Sequence, residues 1–503
     1  MKVDDRQPSR YCWRASVFNV PVSMPRYLAA LTAFLLLAPR AIAGPLDDPH
    51  VGDTGFSGPT TGDLTAMYWN PAGLGLLQGP QIMVGGAWQL TSVSVARTSI
   101  DPATGTNPGA TSFPTTSGSA NLQPFRWPPG PSSFLGIGAG IGHRFGIALA
   151  MYSPYSAKLT MNPVAGGQEP ARYHLVSMDF NHVALAIGIA IHISDSIQFG
   201  VAPGLLFPTA HLVFDEDTGM GNATTGSEAP ANAARFDLAS KGILVPSYFV
   251  SGGLHYTRGR LSIGLAYTSA PLGNGGIITV PTDSTNIAYG DSSLCTGGAP
   301  SNCVFGQMTY RLPSMFTAGA TWQATPAWSA TAIVRYVRNS GHDKITILVA
   351  GPTSQPLLGT TIPDHIALYR GFTDSFDLRG RVVYGQKNFR LGATLRLETS
   401  AVPAGHVNAA AIDGTKLEPS LAGEIKIWRG IRLAAGYAFT WMLPVSTGAS
   451  VFDPTLAATC AQAAGDLANP ACRASLNGQG RPTAAGDYRM WRQTLSVLTT
   501  FGF

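Results

Sequence analysis

The chain of 503 residues carries 12% charged side chains against 45% hydrophobic ones, with 58 glycines and a formal net charge of +5. Soluble domains ordinarily devote about a quarter of their residues to charge, which sets an ordinary soluble enzyme aside, and so small an excess of basic residues does not point to nucleic acid. Beyond residue 43 no apolar run reaches eighteen residues, so membrane-spanning helices are not expected either.

Met24 to Ala43, "MPRYLAALTAFLLLAPRAIA", joins a basic Arg26, an apolar run from Leu28 to Ala38 and the small-residue pattern Ala41-Ile42-Ala43 ahead of Gly44. This reads as a secretory signal peptide over residues 1–43, with Met24 as an alternative start, and the mature chain is expected to begin near Gly44. The apolar run is too short to span a bilayer, and no Cys follows the cleavage site to carry a lipid. An exported chain poor in charge and without spanning helices leaves a closed β-barrel in the bacterial outer membrane, because only helices and closed barrels satisfy the backbone in lipid. A secreted β-sandwich is the competing architecture.

Residues 44–80 include "TAMYWNPAGLGLL", too irregular for a strand and too apolar for a loose tail. Residues 81–503 contain fourteen candidate strands, at 81–98, 133–142, 145–153, 176–194, 196–215, 235–256, 260–280, 304–324, 328–348, 365–385, 388–402, 416–428, 431–446 and 487–503. Six short turns, "GHR", "SDS", "TRGR", "TPA", "GQKN" and "RG", alternate with long Gly, Pro, Ser and Thr-rich loops. That is the plan of an all-β, fourteen-stranded antiparallel transmembrane barrel with short periplasmic turns and long outer loops. A lumen that wide needs a filling, and residues 44–80 are the natural N-terminal plug inside it.

Individual strands fill in the plan. In the second, Phe134, Gly136, Gly138, Gly140 and Gly142 alternate with Leu135, Ile137, Ala139 and Ile141, so the glycine face is expected to look inward and let the plug approach the wall. In the third, "FGIALAMYSPYS", Pro154 lacks an N–H and either interrupts the ladder or ends the strand. Trp328 and Tyr336 share a face and stand about 19 Å apart along the membrane normal, matching two aromatic girdles. Asp377, Arg379 and Arg381 share an inward face, and a two-residue turn at Gln386-Lys387 would set Asp377 opposite Arg396. Ion pairs bracing the wall are the preferred reading; the sharper one has Arg379, Arg381, Arg390 or Arg396 meeting a ligand carboxylate.

Cys295 with Cys303 and Cys460 with Cys472 each fall inside one long loop and suit local disulfides in an oxidising periplasm. Zinc is disfavoured, since neither pair has Cys-x-x-Cys spacing or a nearby His. His192-Ile193-Ser194 sets His and Ser on one strand face, as in outer-membrane phospholipases, but at a predicted periplasmic turn. A lumen histidine beside a turn serine is preferred, and neither enzyme activity, cofactor nor metal is expected. Asp215 to Asp217 are read as a solvated loop rather than a cation site.

Asn70-Pro71-Ala72, placed between an export signal and a barrel, resembles the long-chain fatty acid transporter (FadL-type) family, in which an N-terminal hatch with an Asn-Pro-Ala motif precedes fourteen strands. "GIALAMYSPYSAKL", "RLPSMFTAGATWQATPAWSATAIVRY" and "DSFDLRGRVVYGQKNFRLGATLRLETSAVP" are similar to that family's third strand and loop, its eighth strand with its partner, and its paired tenth and eleventh strands. The resemblance implies passive uptake of hydrophobic small molecules: capture by loops, an apolar lumen pocket, a hatch gate at Asn70, Pro71 and Ala72, and lateral exit near Ser153, Pro154 and Tyr155. It also implies recognition of the aromatic-ended last strand, to Phe503, by the outer-membrane assembly machinery. The surrounding partners are membrane lipid and lipopolysaccharide, and a monomer is expected. The loops at 216–234 and 281–303 lack the amphipathic helices of fatty-acid-binding members, so long-chain fatty acids and smaller aromatic or aliphatic hydrocarbons are equal candidates as cargo. A non-specific porin or a surface adhesin is the alternative.

Overall fold

Side chains alternate across a strand, so a strand in a barrel wall turns one set to lipid and the other to the bore. A computed structural model describes residues 50–97, 116–117, 133–142, 144–160, 175–217, 233–240, 245–273, 276–289, 292–293, 305–342, 344–350, 354–355, 360–361, 365–408, 411–447 and 486–503. The expected signal peptide and the cysteines Cys295, Cys303, Cys460 and Cys472 lie outside the described residues.

The strands are β1 (Pro80–Arg97), β2 (Phe134–Ile141), β3 (Phe145–Thr160), β4 (Leu175–Ser194), β5 (Ile197–Asp217), β6 (Ala233–Ser240 and Ser247–Arg258), β7 (Leu261–Thr268 and Ile277–Tyr289), β8 (Phe305–Arg311 and Met315–Gln323), β9 (Trp328–Val337 and Lys344–Ala350), β10 (His365–Tyr369 and Ser375–Gly385), β11 (Phe389–Glu398), β12 (Lys416–Trp428), β13 (Ile431–Met442 and Val445–Thr447) and β14 (Gly486–Gly502). Each pairs antiparallel with the next, and β14 returns to β1 along a ladder from Gln81 opposite Gly502 to Arg97 opposite Gly486. The sheet is therefore a closed antiparallel barrel of fourteen strands. Phe503 N donates to Pro80 O at 3.1 Å, so the barrel's first and last residues meet at the end that carries the short turns. The strands are joined by short turns at the six expected places, with the β10–β11 turn displaced by one residue. In the β6–β7 turn Gly259 takes φ 60°, a left-handed conformation that glycine adopts without a steric cost.

The alternation is as the sequence implies. On β13 Tyr437 and Trp441 are 46% and 47% exposed, toward lipid, while Ala434, Ala438 and Thr440 are buried. Ile137 and Ile141 on β2 point outward, and the β2 glycines face in. At the turn end Trp328 lies 4.9 Å from Tyr384; toward the loop end Tyr336 lies 5.2 Å from Phe376, the centroids being measured in each case. These pairs mark the two edges of the lipid-facing band on β9 and β10.

Four expectations are corrected. β3 does not end at Ser153: it continues to Thr160 across a bulge. β7 runs on to Tyr289, so strand occupies the first part of the expected 281–303 loop. Asp215–Asp217 close β5 instead of opening a loop. The β10–β11 turn centres on Lys387-Asn388, with Gln386 N donating to Phe389 O at 2.8 Å, which sets Asp377 opposite Glu398 and Arg379 opposite Arg396. Moving a turn by one position slides the register by two residues and leaves every side chain on its expected face.

Leu421 on β12 is 68% exposed and seven residues from Trp428 at the turn end, near mid-depth in the lipid-facing band. Leu421→Arg is expected to cost about 2–4 kcal/mol, measured by denaturant unfolding from lipid vesicles, with Leu421→Ala costing much less.

Candidate functional site

The stretch that precedes β1 folds around Asn70. Ala66–Trp69 form a short helix, α1, and Pro71–Leu76 a 3-10 turn that starts with proline, whose missing N–H is not needed at that position. Asp63 Oδ1 accepts from Thr65 N at 2.9 Å and Thr65 Oγ1 at 2.5 Å ahead of α1, and burial pushes the Asp63 carboxyl up. Asn70 is fully buried; its Oδ1 accepts from Ala72 N at 3.2 Å, and its Nδ2 donates to Pro59 O at 2.8 Å and to Leu254 O of β6 at 3.0 Å. The amide thus ties the bend to itself, to the preceding loop and to the barrel wall.

Inward glycines make room for this bend. A Cβ built on Gly140 of β2 would lie 2.0 Å from Leu77 O, on Gly146 of β3 2.1 Å from Leu74 O, and on Gly188 of β4 2.2 Å from Met67 Sδ. The same holds on β5, β6 and β7, where a Cβ on Gly200 would run into Pro71 and Ala72, one on Gly253 into Asn70 Oδ1 and one on Gly264 into Pro59 O. Close backbone approach is what glycine provides at such places. Sequence reasoning foresaw the β2 glycines and missed those on β3 to β7; their shared inward parity was the available signal.

The earlier part of the segment lies against a charged wall. Asp53 Oδ1 accepts from Gly55 N at 2.7 Å and Ser57 N at 3.1 Å, folding its own loop, while Asp53 Oδ2 accepts from Arg379 at 3.4 Å. The Arg379 guanidinium also bonds Asp377 at 2.6 Å and stacks 4.9 Å from the Trp69 ring centroid. Arg381 donates to Ser57 O, and Arg390 stacks 4.7 Å over Phe56 while pairing with Glu424. Arg396 joins Asp377 at 3.0 Å, Glu418 at 3.1 Å and Glu398, and His50 Nε2 lies 3.4 Å from Glu418. All four arginines named from the sequence therefore have partners on the protein, three of them shared with residues 50–69.

The opposite half of the bore, from β2 to β9, is mostly apolar and aromatic, with Arg335 of β9 buried 5.8 Å from the Tyr68 ring centroid. Tyr68 of α1 lies 5.7 Å from Tyr152, which stacks on Phe134 at 6.2 Å. Immediately beyond, the β3–β4 register slips: Tyr152 faces Ala184 and Tyr155 faces His182, so Ser153 and Pro154 together face Val183. Ser153 Oγ donates to Asn181 Oδ1 at 2.5 Å and to His182 O at 3.1 Å, and Tyr155 OH donates to Pro313 O at 2.7 Å. The β2–β3 ladder stops at Phe134 opposite Tyr152, so the bulge begins one residue past the last pair. His192, the other half of the considered His-Ser pair, is bonded through Nε2 to Gly75 O at 2.7 Å, and Ser194 Oγ lies against its own turn, 3.4 Å from Ser196 N.

Asn70→Ala would leave the Pro59 and Leu254 carbonyls without their amide donor, at a local cost of about 1–3 kcal/mol. Faster hydrogen exchange over residues 50–77 with unchanged exchange in β10 to β14 is the expected reading. Arg379→Ala would strand Asp53 beside Asp377, at about 3–5 kcal/mol, and limited proteolysis should then cut near residue 53 first.

Residues 54–412 match the sequence profile of the outer membrane protein transport protein family (OMPP1/FadL/TodX). In fold the chain is similar to a FadL homologue of Pseudomonas aeruginosa, at 13% identity and TM-score 0.65, over 92% of this chain and 100% of that one. It is also similar to the Pseudomonas putida toluene transporter TodX, at 13% identity and TM-score 0.57, over 92% and 99% of the two chains. The Ralstonia pickettii toluene transporter TbuX gives 12% identity and TM-score 0.56 over the same shares. No curated protein sequence matches the chain. The family is one of transport proteins, not enzymes, and its place is the bacterial outer membrane. The profile match spans more than half of the chain and agrees with the fourteen-stranded barrel: this protein belongs to the FadL/TodX family of outer-membrane transporters of hydrophobic compounds.

Proposed function

We propose that the protein takes up hydrophobic small molecules passively, long-chain fatty acids or aromatic and aliphatic hydrocarbons, and releases them sideways through the barrel wall at Ser153, Pro154 and Tyr155. Residues 44–80 act as the hatch, with Asn70, Pro71 and Ala72 as its gate. The observation that carries this reading is one juxtaposition: Tyr68 of α1 touches Tyr152, the last residue paired before the bulge. A shift of α1 changes the packing at the one place on β3 where two residues face one across the β3–β4 ladder. A bulge interrupts ladder hydrogen bonds, and Pro154 has no N–H to restore them.

The division of the bore supports the route. Cargo of low polarity gains about 25 cal/mol for each Å² it removes from water, and the β2–β9 side offers it an apolar surface. The β10–β14 side holds the early part of the hatch through Arg379, Arg381, Arg390 and Arg396, which we assign to anchoring and not to a ligand carboxylate. Outer loops do the capturing, and the strand ending at Phe503 is the signal for the assembly machinery. The protein works as a monomer among lipid and lipopolysaccharide. Solved structures of similar fold described as toluene transporters support the hydrocarbon class of cargo.

Deleting Pro154 removes the extra residue and restores an unbroken β3–β4 register. Uptake of a labelled fatty acid and of a hydrocarbon into liposomes should then fall by at least about tenfold, with the folded barrel still showing heat-modifiable gel migration. Undiminished uptake in a folded deletion variant would refute lateral exit at this point. Steady ion conductance without apolar uptake in the parent protein would instead identify a porin, and neither activity an adhesin.

A further inference from the structure

Beyond the Tyr336 girdle, the connection between the two segments of β9 brings His342 against Tyr310 of β8 and Phe372, which precedes the second segment of β10. Ring centroids of His342 lie 6.1 Å from Tyr310 and 5.3 Å from Phe372, and Tyr310 lies 5.6 Å from Phe180 of β4. The imidazole is 1% exposed. Its Nδ1 lies 2.5 Å from Arg311 O, and a ring nitrogen facing a carbonyl carries the proton. Burial, aided by the nearby Arg370 guanidinium, pushes the His342 imidazole down to about 3, so the ring is neutral and Nε2 is a bare acceptor. That Nε2 is buried and meets no hydrogen-bond donor.

Its neighbour does not supply one. His182 Nδ1 lies 3.1 Å from Tyr155 O and so carries the proton, which makes its Nε2 the acceptor for Tyr310 O–H at 2.6 Å. The Tyr310 hydrogen is committed to His182, and what Tyr310 offers the cluster is an oxygen lone pair. Tyr310, His342 and Phe372 are at most 5% exposed, so a ligand enters only as these rings part; a flat apolar molecule bearing an O–H would then meet both the aromatic surface and the unsatisfied acceptor. A hydrocarbon would leave the acceptor unpaired, and a carboxylate would set lone pair against lone pair.

We propose that the face formed by Tyr310, His342 and Phe372 is a subsite for hydroxyl-bearing apolar molecules, phenols or alcohols, whose O–H donates to His342 Nε2. This rests on the reading of the protein as a transporter of hydrophobic cargo, and narrows its substrate class.

The test uses the purified full chain in detergent with 2-naphthol and 2-methylnaphthalene, which differ by O–H against CH₃, followed by equilibrium dialysis. The wild-type protein should favour 2-naphthol by about fivefold after correction for micelle partition. His342→Phe should bring the ratio close to one, whereas His342→Gln, which keeps an acceptor, should retain part of it. Equal affinities in the wild type, a measurement that needs no variant, would overturn the proposal. So would a preference that survives in a folded His342→Phe protein, or tighter binding of 2-naphthoate than of 2-naphthol, which would point to Arg370 and a carboxylate. If the hydrocarbon binds and the naphthol gains nothing, the subsite alone fails; if neither binds, the transport reading falls with it.

Discussion

Lipid offers the peptide group no hydrogen-bond partner, and this one constraint shapes the rest of the molecule. It forces the sheet to close, which here is achieved by the long β1–β14 ladder. Closure in turn fixes which side chains look inward, because the period of a strand is two and the ladders hold the register. Against that background a break in pairing is informative. At Ser153-Pro154 the lost ladder bond is partly replaced by a side-chain one, Ser153 Oγ to His182 O at 3.1 Å, so the wall stays satisfied while losing the regularity that makes it rigid.

The bore separates two kinds of cohesion. On the charged side the ion pairs around Asp377 and Glu418 are buried and shared: Asp377 serves Arg379 and Arg396, and Glu418 serves Arg396, His50 and Thr440. Sharing matters because a buried charge is tolerable only when its remaining valences are met, so removing one member unsettles the others. On the apolar side cohesion is non-directional, set by contact area and shape. Residues 50–60 are held mainly by charge and hydrogen bonds, whereas residues 64–77 are held mainly by packing, with Asn70 bonded to Leu254 O and Gly75 O to His192 as their polar ties to the wall.

The barrel was legible in the sequence because alternation and turn chemistry are local: the face of each residue from Ile431 to Met442 could be read from parity, and the six turns from Gly, Asn, Asp and Pro. Register was less legible, since Gln386-Lys387 and Lys387-Asn388 are equally good turn centres by composition, and only cross-strand pairing selects between them. The bulge at Ser153-Pro154 was visible as a proline but not as a continuation, because whether a strand survives a proline depends on a partner that sequence does not display. Asn70-Pro71-Ala72 stood out, yet its anchor Leu254 O lies 184 positions away, a pairing no local pattern encodes. His342 and Phe372 went unnoticed for the same reason: each sits in a strand interruption and acquires meaning only through the neighbouring strand.

The glycines facing Asn70 and the 3-10 turn bear on how such a transporter can change. On β2, β3 and β5 the backbone of the turn sits where a side chain would stand, and on β4, β6 and β7 Met67, Asn70 and Pro59 do, so these wall positions and the segment tolerate change only together. Around Tyr310 the rings of Phe180, His182 and His342 pack on one another, and no main chain of the turn stands between them. A substitution at one of the wall glycines therefore calls for a matching change in the segment it faces, so the two are inherited as a block.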